Sequence, residues 1–178
     1  YAKILLFGEY GIIEDSQGLT LPYSFYKGTL KFSDNQSDFE KKSNESLQKY
    51  SDYLANLELS KDFKIDVEAF KKDIEKGLFF DSNIPQGYGV GRSGAFVAAI
   101  FEKYSFKKYI PENISKTQLK DLKKVFGELE SYFHGKSSGI DPLICYMNLP
   151  ILIENRESVD KVSIPKEEAG KGAIFLID

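Results

Sequence analysis

Three short segments of this sequence carry residues whose types and spacing suit chemistry. In the first, IPQGYGVGRSGA over residues 84–95, glycines alternate at 87, 89 and 91, and another follows at 94. Glycine reaches backbone conformations closed to other residues and lets amides approach a ligand closely. A helical pattern resumes at once with Phe96, Ala99, Ile100 and Tyr104. The free N–H groups of such a helix start would face the loop and suit a phosphate. Ser93 adds a hydroxyl able to touch a phosphate oxygen or a magnesium ion. Arg92 adds a cation that either pairs with phosphate or faces solvent from the first helical turn. The lysine and spacing of GxxxxGK[ST] are missing, which excludes a P-loop, and no clean strand–helix–strand unit supports a dinucleotide fold. A surface turn before a helix is the plainer alternative. The proline, the alternate glycines and the abrupt helix start weigh against it.

The second segment joins Glu130 to HGKSSGID over 134–141. Helical spacing puts Glu130 at the edge of an apolar stripe, where it either reaches solvent or needs a partner such as magnesium. Asp141 follows a Ser-Ser-Gly turn at a helix start and could simply be a cap. His134 is the single histidine, so no mechanism needing two can run within this chain. No partner marks it in the sequence. The third segment is Lys3, in the first strand. A lysine among core residues is costly unless paired, and Asp141 would pair it. A strand-end lysine reaching solvent is the alternative.

Strands and helices must position these residues. KILLFGEYGII over 3–13 is a strand with Lys3, Leu5, Phe7 and Glu9 on one face, unless Gly8 breaks the register with a bulge. Leu19–Leu21 run apolar up to Pro22, and residues 24–33 suit another strand. Helices fit 37–57 (Leu47, Tyr50, Leu54, Leu57) and 66–76 (Val67, Phe70, Ile74), the latter capped by Asp66 and stopped by Gly77. Leu78–Phe80 form a short strand. A helix over 116–133 opens on the capping box Ser115 to Gln118 and carries Leu119, Leu122, Phe126, Leu129 and Phe133 on one stripe. A short apolar helix follows Asp141, and strand-like runs lie at 151–153, 161–164 and 173–177. Strands and helices mix without regular alternation, which predicts an α+β fold rather than a doubly wound sheet.

With 42% hydrophobic and 29% charged residues, the composition suits a folded domain rather than a disordered chain. A net charge of −3 argues against nucleic acid as a partner. The lysines at 120, 123 and 124 read as the solvated face of a helix. No stretch is long and apolar enough to span a membrane. The lone Cys145 excludes an intramolecular disulfide and a cysteine-rich zinc site, and reads as a buried, inert thiol in a cytoplasmic protein. The sequence stops on an apolar strand, which suggests a piece of a longer protein.

Together the three segments resemble the GHMP kinases (galactokinase, homoserine kinase, mevalonate kinase and phosphomevalonate kinase). KILLFGEYGII resembles the family's opening strand, which carries a lysine and then Gly-Glu-His. IPQGYGVGRSGAFVAA resembles its P-x-G-x-G-L-G-S-S-A phosphate loop. HGKSSGID is similar to the H-G-x-x-S-G-x-D segment of mevalonate kinase. The resemblance covers most of the chain, in family order. It implies the α+β fold of the GHMP N-terminal ATP-binding domain, shared with a small-subunit ribosomal protein, with a mixed or antiparallel sheet packed on helices. Residues 1–178 would form that domain, cut short before a C-terminal domain.

By the same resemblance Asp141 is the base that deprotonates the acceptor hydroxyl, and Lys3 lowers that hydroxyl's pKa. Gly87, Gly89, Val90, Gly91, Arg92, Ser93 and Gly94 would hold the phosphates of ATP. Ser93 and Glu130 would hold Mg2+. Glu9, Tyr10, His134, Ser138 and Gly139 would meet a small-molecule alcohol, with mevalonate as the leading acceptor. The resemblance leaves a homodimer open. The sequence departs from the family pattern where Arg92 replaces a serine, Gly94 an alanine and Tyr10 a histidine. A sugar or sugar-phosphate kinase, a diphosphomevalonate decarboxylase and a nucleotide-binding relative without turnover are the alternatives.

Overall fold

Local sequence accounts for most of the helices. In the computed structural model, which describes residues 1–8, 17–59, 63–155 and 158–163, helix α1 spans Asp38–Ala55 and opens on a reciprocal cap between Ser37 and Glu40. Helix α2 spans Val67–Glu75, with the Asp66 carboxylate accepting the Ala69 amide. Helix α4 spans Lys116–His134 and has the expected box, Ser115 with Gln118. Such caps satisfy amides that a helix start leaves without partners. Helix α3 spans Arg92–Tyr104 and α5 spans Ile140–Met147; both start on a left-handed glycine, Gly91 and Gly139, with no side-chain cap.

The strands are β1 (Ala2–Phe7), β2 (Gly18–Tyr23), β3 (Gly28–Phe32), β4 (Leu78–Ser82), β5 (Ile151–Ile153) and β6 (Val159–Lys161). One sheet runs β1-β2-β5-β6 and the other pairs β3 with β4. Every pairing between these strands is antiparallel. The α+β fold is as expected. The run at 173–177 lies outside the described residues. In β1 the register shifts between Leu5 and Phe7, ahead of Gly8. Lys3 is consequently buried while Phe7, predicted on the same face, is 53% exposed. The 24–33 strand begins only at Gly28, after a turn at 24–26.

Helix α3 lies at the centre of the fold and is buried on most sides, including Ala95, Phe96, Val97, Ile100 and Phe101. It runs against α5 at backbone contact: a Cβ at Gly94 would stand 2.7 Å from the Asp141 carbonyl carbon. A second close approach seats the 135–139 turn on α4, since a Cβ at Gly139 would fall 2.0 Å from the Lys123 carbonyl oxygen. That contact corrects one expectation. Lys123 is buried, at 8% exposure, while Lys120 and Lys124 stay on the solvated face. Cys145 is buried as expected, and burial, followed by the nearby Asp141 charge, pushes its thiol up to about 12. No described helix is long and apolar enough to cross a membrane.

Candidate active site

The glycine loop forms one wall of a cleft of about 610 Å³. Gly87, Gly89 and Gly91 all hold positive φ, at 90°, 65° and 80°. Added Cβ atoms at Gly87 and Gly89 would meet nothing within 4 Å, so the backbone there faces open space. The first intrahelical bond of α3 runs from the Ala95 amide to the Gly91 carbonyl. The amides of Arg92, Ser93 and Gly94 therefore lack helical partners, an arrangement whose chemistry suits an anion. Four aromatic rings, Phe39, Phe80, Phe96 and Phe133, also line the cleft. Phe133, predicted as the end of a buried stripe, is 40% exposed and stacks on Tyr50 at 6.0 Å between ring centroids.

Strand β1 brings Lys3 beneath this loop, where its amide donates to the Val90 carbonyl at 3.1 Å. Its ammonium pairs with Asp141 Oδ1 at 3.0 Å. Lys3 does not reach solvent: its side chain is 11% exposed, against 32% for Asp141, which borders the cleft. Gly91 permits the approach, since a Cβ there would lie 2.8 Å from Lys3 Cγ.

Glu130 is not an edge residue reaching solvent but is buried, at 3% exposure. Ser93 Oγ donates to its Oε1 at 2.9 Å and Ser137 Oγ to its Oε2 at 2.5 Å. Burial pushes the Glu130 carboxyl above its usual range, and the Asp141 charge adds to this. The two serine hydroxyls and His134 only partly offset the rise. A carboxylate held this way favours a cation beside it. The donors suit magnesium: two oxygens sharing an octahedral ion at about 2.1 Å stand about 3 Å apart, close to the Ser93–Glu130 separation. Among the described residues no group of three or more His, Cys, Asp or Glu side chains converges on a metal position. An ion here would take its other ligands from phosphate and water.

The remaining candidates separate. Arg92 neither faces free solvent nor commits wholly to the cleft, because its Nη1 donates to the Ile84 carbonyl at 2.8 Å. It thus ties the two ends of the loop together while still bordering the cleft. Gly94 serves the α3–α5 crossing, which explains why alanine is absent there. His134 does have a partner, Ser93 Oγ at 3.2 Å from its Nε2. Ser138 and Gly139 do not border the cleft. Ser138 Oγ accepts the Ile140 amide at 3.4 Å, and Gly139 packs on α4. Glu9 and Tyr10 lie outside the described residues. Reading by motif missed Ser137, whose hydroxyl signals itself only through contact with Glu130. It also missed Phe39, which enters from a helix distant in sequence.

The family model described as GHMP kinases N terminal domain matches residues 51–148. A search of curated proteins finds no match. The matched stretch runs from within α1 to just past α5, and takes in the glycine loop, Glu130 and Asp141 together. The chain belongs to the GHMP kinase family, whose N-terminal domain it carries.

Proposed function

We propose that this chain binds ATP with magnesium and transfers the terminal phosphoryl group to the hydroxyl of a small acid, with mevalonate the leading acceptor. The observation that carries the reading is the Lys3–Asp141 pair, 3.0 Å apart, directly under a helix start open to anions. The family's kinase chemistry supports it, as does HGKSSGID. Phosphoryl transfer demands positioned phosphates, neutralised charge and an aligned hydroxyl. The loop amides and α3 hold the phosphate oxygens. Ser93 and Glu130 would hold magnesium, which would offset phosphate charge there.

Asp141 accepts the acceptor's hydroxyl proton. The freed oxygen bonds the terminal phosphorus, the bond to the bridging oxygen breaks, and ADP leaves with that electron pair. Lys3 lies beside the developing alkoxide and lowers the cost of its negative charge. Tyr10, where mevalonate kinases carry histidine, favours a second reading: a sugar or sugar phosphate as acceptor. A coupled ATPase assay against mevalonate, phosphomevalonate and hexoses separates the two. Turnover with mevalonate supports the first reading, and turnover with sugars alone overturns it. Tight ATP binding without transfer to any candidate alcohol would instead mark a nucleotide-binding relative.

A further inference from the structure

His134 closes α4 and borders the cleft. A serine hydroxyl has one proton to donate. In the free protein Ser93 gives it to Glu130 Oε1, 2.9 Å away. Its contact with His134, at 3.2 Å, must then run the other way, from Nε2–H to Oγ. Glu130 can return no proton as a carboxylate, and its Oε2 already accepts from Ser137. The order of protons along Glu130, Ser93 and His134 is thereby fixed.

An ion shared by Ser93 and Glu130 reverses that order. Both oxygens must then turn lone pairs to the ion, so the Ser93 O–H can no longer point at Oε1. Of the two side chains bonded to Ser93, only His134 can then accept its proton. A neutral imidazole accepts at Nε2 when its own proton sits on Nδ1. We propose that His134 is a positioning residue for the metal-binding serine, donating to Ser93 Oγ in the free protein and accepting from it when a divalent ion is bound. The proposal rests on the kinase reading for its ion and nucleotide. It moves His134 from the acceptor pocket, where sequence resemblance put it, to the metal side of the site.

A single histidine makes the test specific. In nitrogen-labelled protein, long-range proton–nitrogen correlation spectra distinguish the two ring tautomers, and loss of the signal in His134→Gln assigns it. Without an ion we expect the proton on Nε2. With Mg2+ and the non-hydrolysable analogue AMP-PNP we expect it on Nδ1. Calorimetry supplies a second readout: His134→Ala should weaken binding of Mg2+ in the presence of AMP-PNP about 10-fold or more. His134→Gln, whose amide can donate or accept near the Nε2 position, should keep most of the affinity. Binding of Mg2+ and AMP-PNP with no change in the His134 ring overturns the proposal and leaves the kinase reading standing. A ring protonated on both nitrogens in the bound state overturns it as well, since such a ring accepts nothing. Failure to bind Mg2+ and AMP-PNP overturns both. The spectral arm uses the unmodified protein and does not depend on the variants folding.

Discussion

Two lysine–aspartate pairs in this molecule share a geometry and differ in their surroundings. Lys103 meets Asp73 at 2.8 Å, and Lys3 meets Asp141 at 3.0 Å. Asp73 also accepts from the Tyr104 hydroxyl at 2.9 Å and has Lys76 at 3.7 Å. Burial works to raise its pKa, but the hydrogen bonds from Lys103 and Tyr104 and the lysine charges outweigh it, and its carboxyl stays below the usual range. That cluster ties α2 to α3 and stands away from the cleft. Asp141 instead borders the cleft beside an uncapped helix start. The same pair of residue types is a fastener in one place and a candidate proton acceptor in the other. What separates them is whether the carboxylate is surrounded by its own protein's donors or borders space for a ligand.

The sharpest way to break this contrast is Asp141→Asn. It should lower kcat by about 10²- to 10⁴-fold, the usual span for losing a general base, with little change in ATP affinity and a lower Tm, because the buried Lys3 loses its charged partner. Steady-state kinetics with a thermal melt check it, and unchanged turnover would make Asp141 another fastener. Next, Gly94→Ala should force α3 away from α5, because its Cβ would meet the Asp141 backbone. Overpacking of this kind costs about 1–3 kcal/mol, and the shift also displaces Asp141. Both Tm and kcat should fall, and a parent-like variant would show that the crossing can relax.

Glu130→Gln tests the metal side. The Mg2+ concentration for half-maximal activity should rise at least about 10-fold, since losing a charged ligand costs no less than losing a ligand's hydrogen-bonded support. The same variant should melt higher than the parent at neutral pH without metal. An acid whose pKa is raised by folding binds its proton more tightly when folded, so stability falls as pH rises through the range above 4.5. The neutral amide removes that loss, and the gain should vanish in acid. Last, Asp73→Asn should cost about 1–2 kcal/mol through lost charged hydrogen bonds and leave kcat alone. Because folding lowers the Asp73 pKa, its contribution is full above the ordinary value of 3.8 and fades as pH drops through the lowered one. Thermal melts across acid pH check it.

Much of the fold was legible because its signals are local. Asp66, Ser115 and Gln118 cap the helices they were expected to cap. The loop's backbone conformation was legible too, since the alternating glycines at 87, 89 and 91 take the positive φ that glycine favours. Side-chain destinations were less so. Periodicity put Glu130 at the rim of a stripe and Lys123 on a solvated face. The 135–139 turn folds back over α4, and the crossing of Gly139 on that helix decides their burial. The Arg92 tie to Ile84 and the meeting of Ser93 with His134 depend on how α3 and α4 come together, which no spacing within one segment encodes.

In the proposed complex Lys3, Ser93, Glu130 and Asp141 surround the terminal phosphate of one nucleotide. A crystal structure of the protein with Mg2+ and AMP-PNP tests it most directly. We expect an ion bound by Ser93 Oγ and the Glu130 carboxylate, with the terminal phosphate facing Asp141. An ion held elsewhere, or a phosphate chain directed away from the Lys3–Asp141 pair, would contradict it.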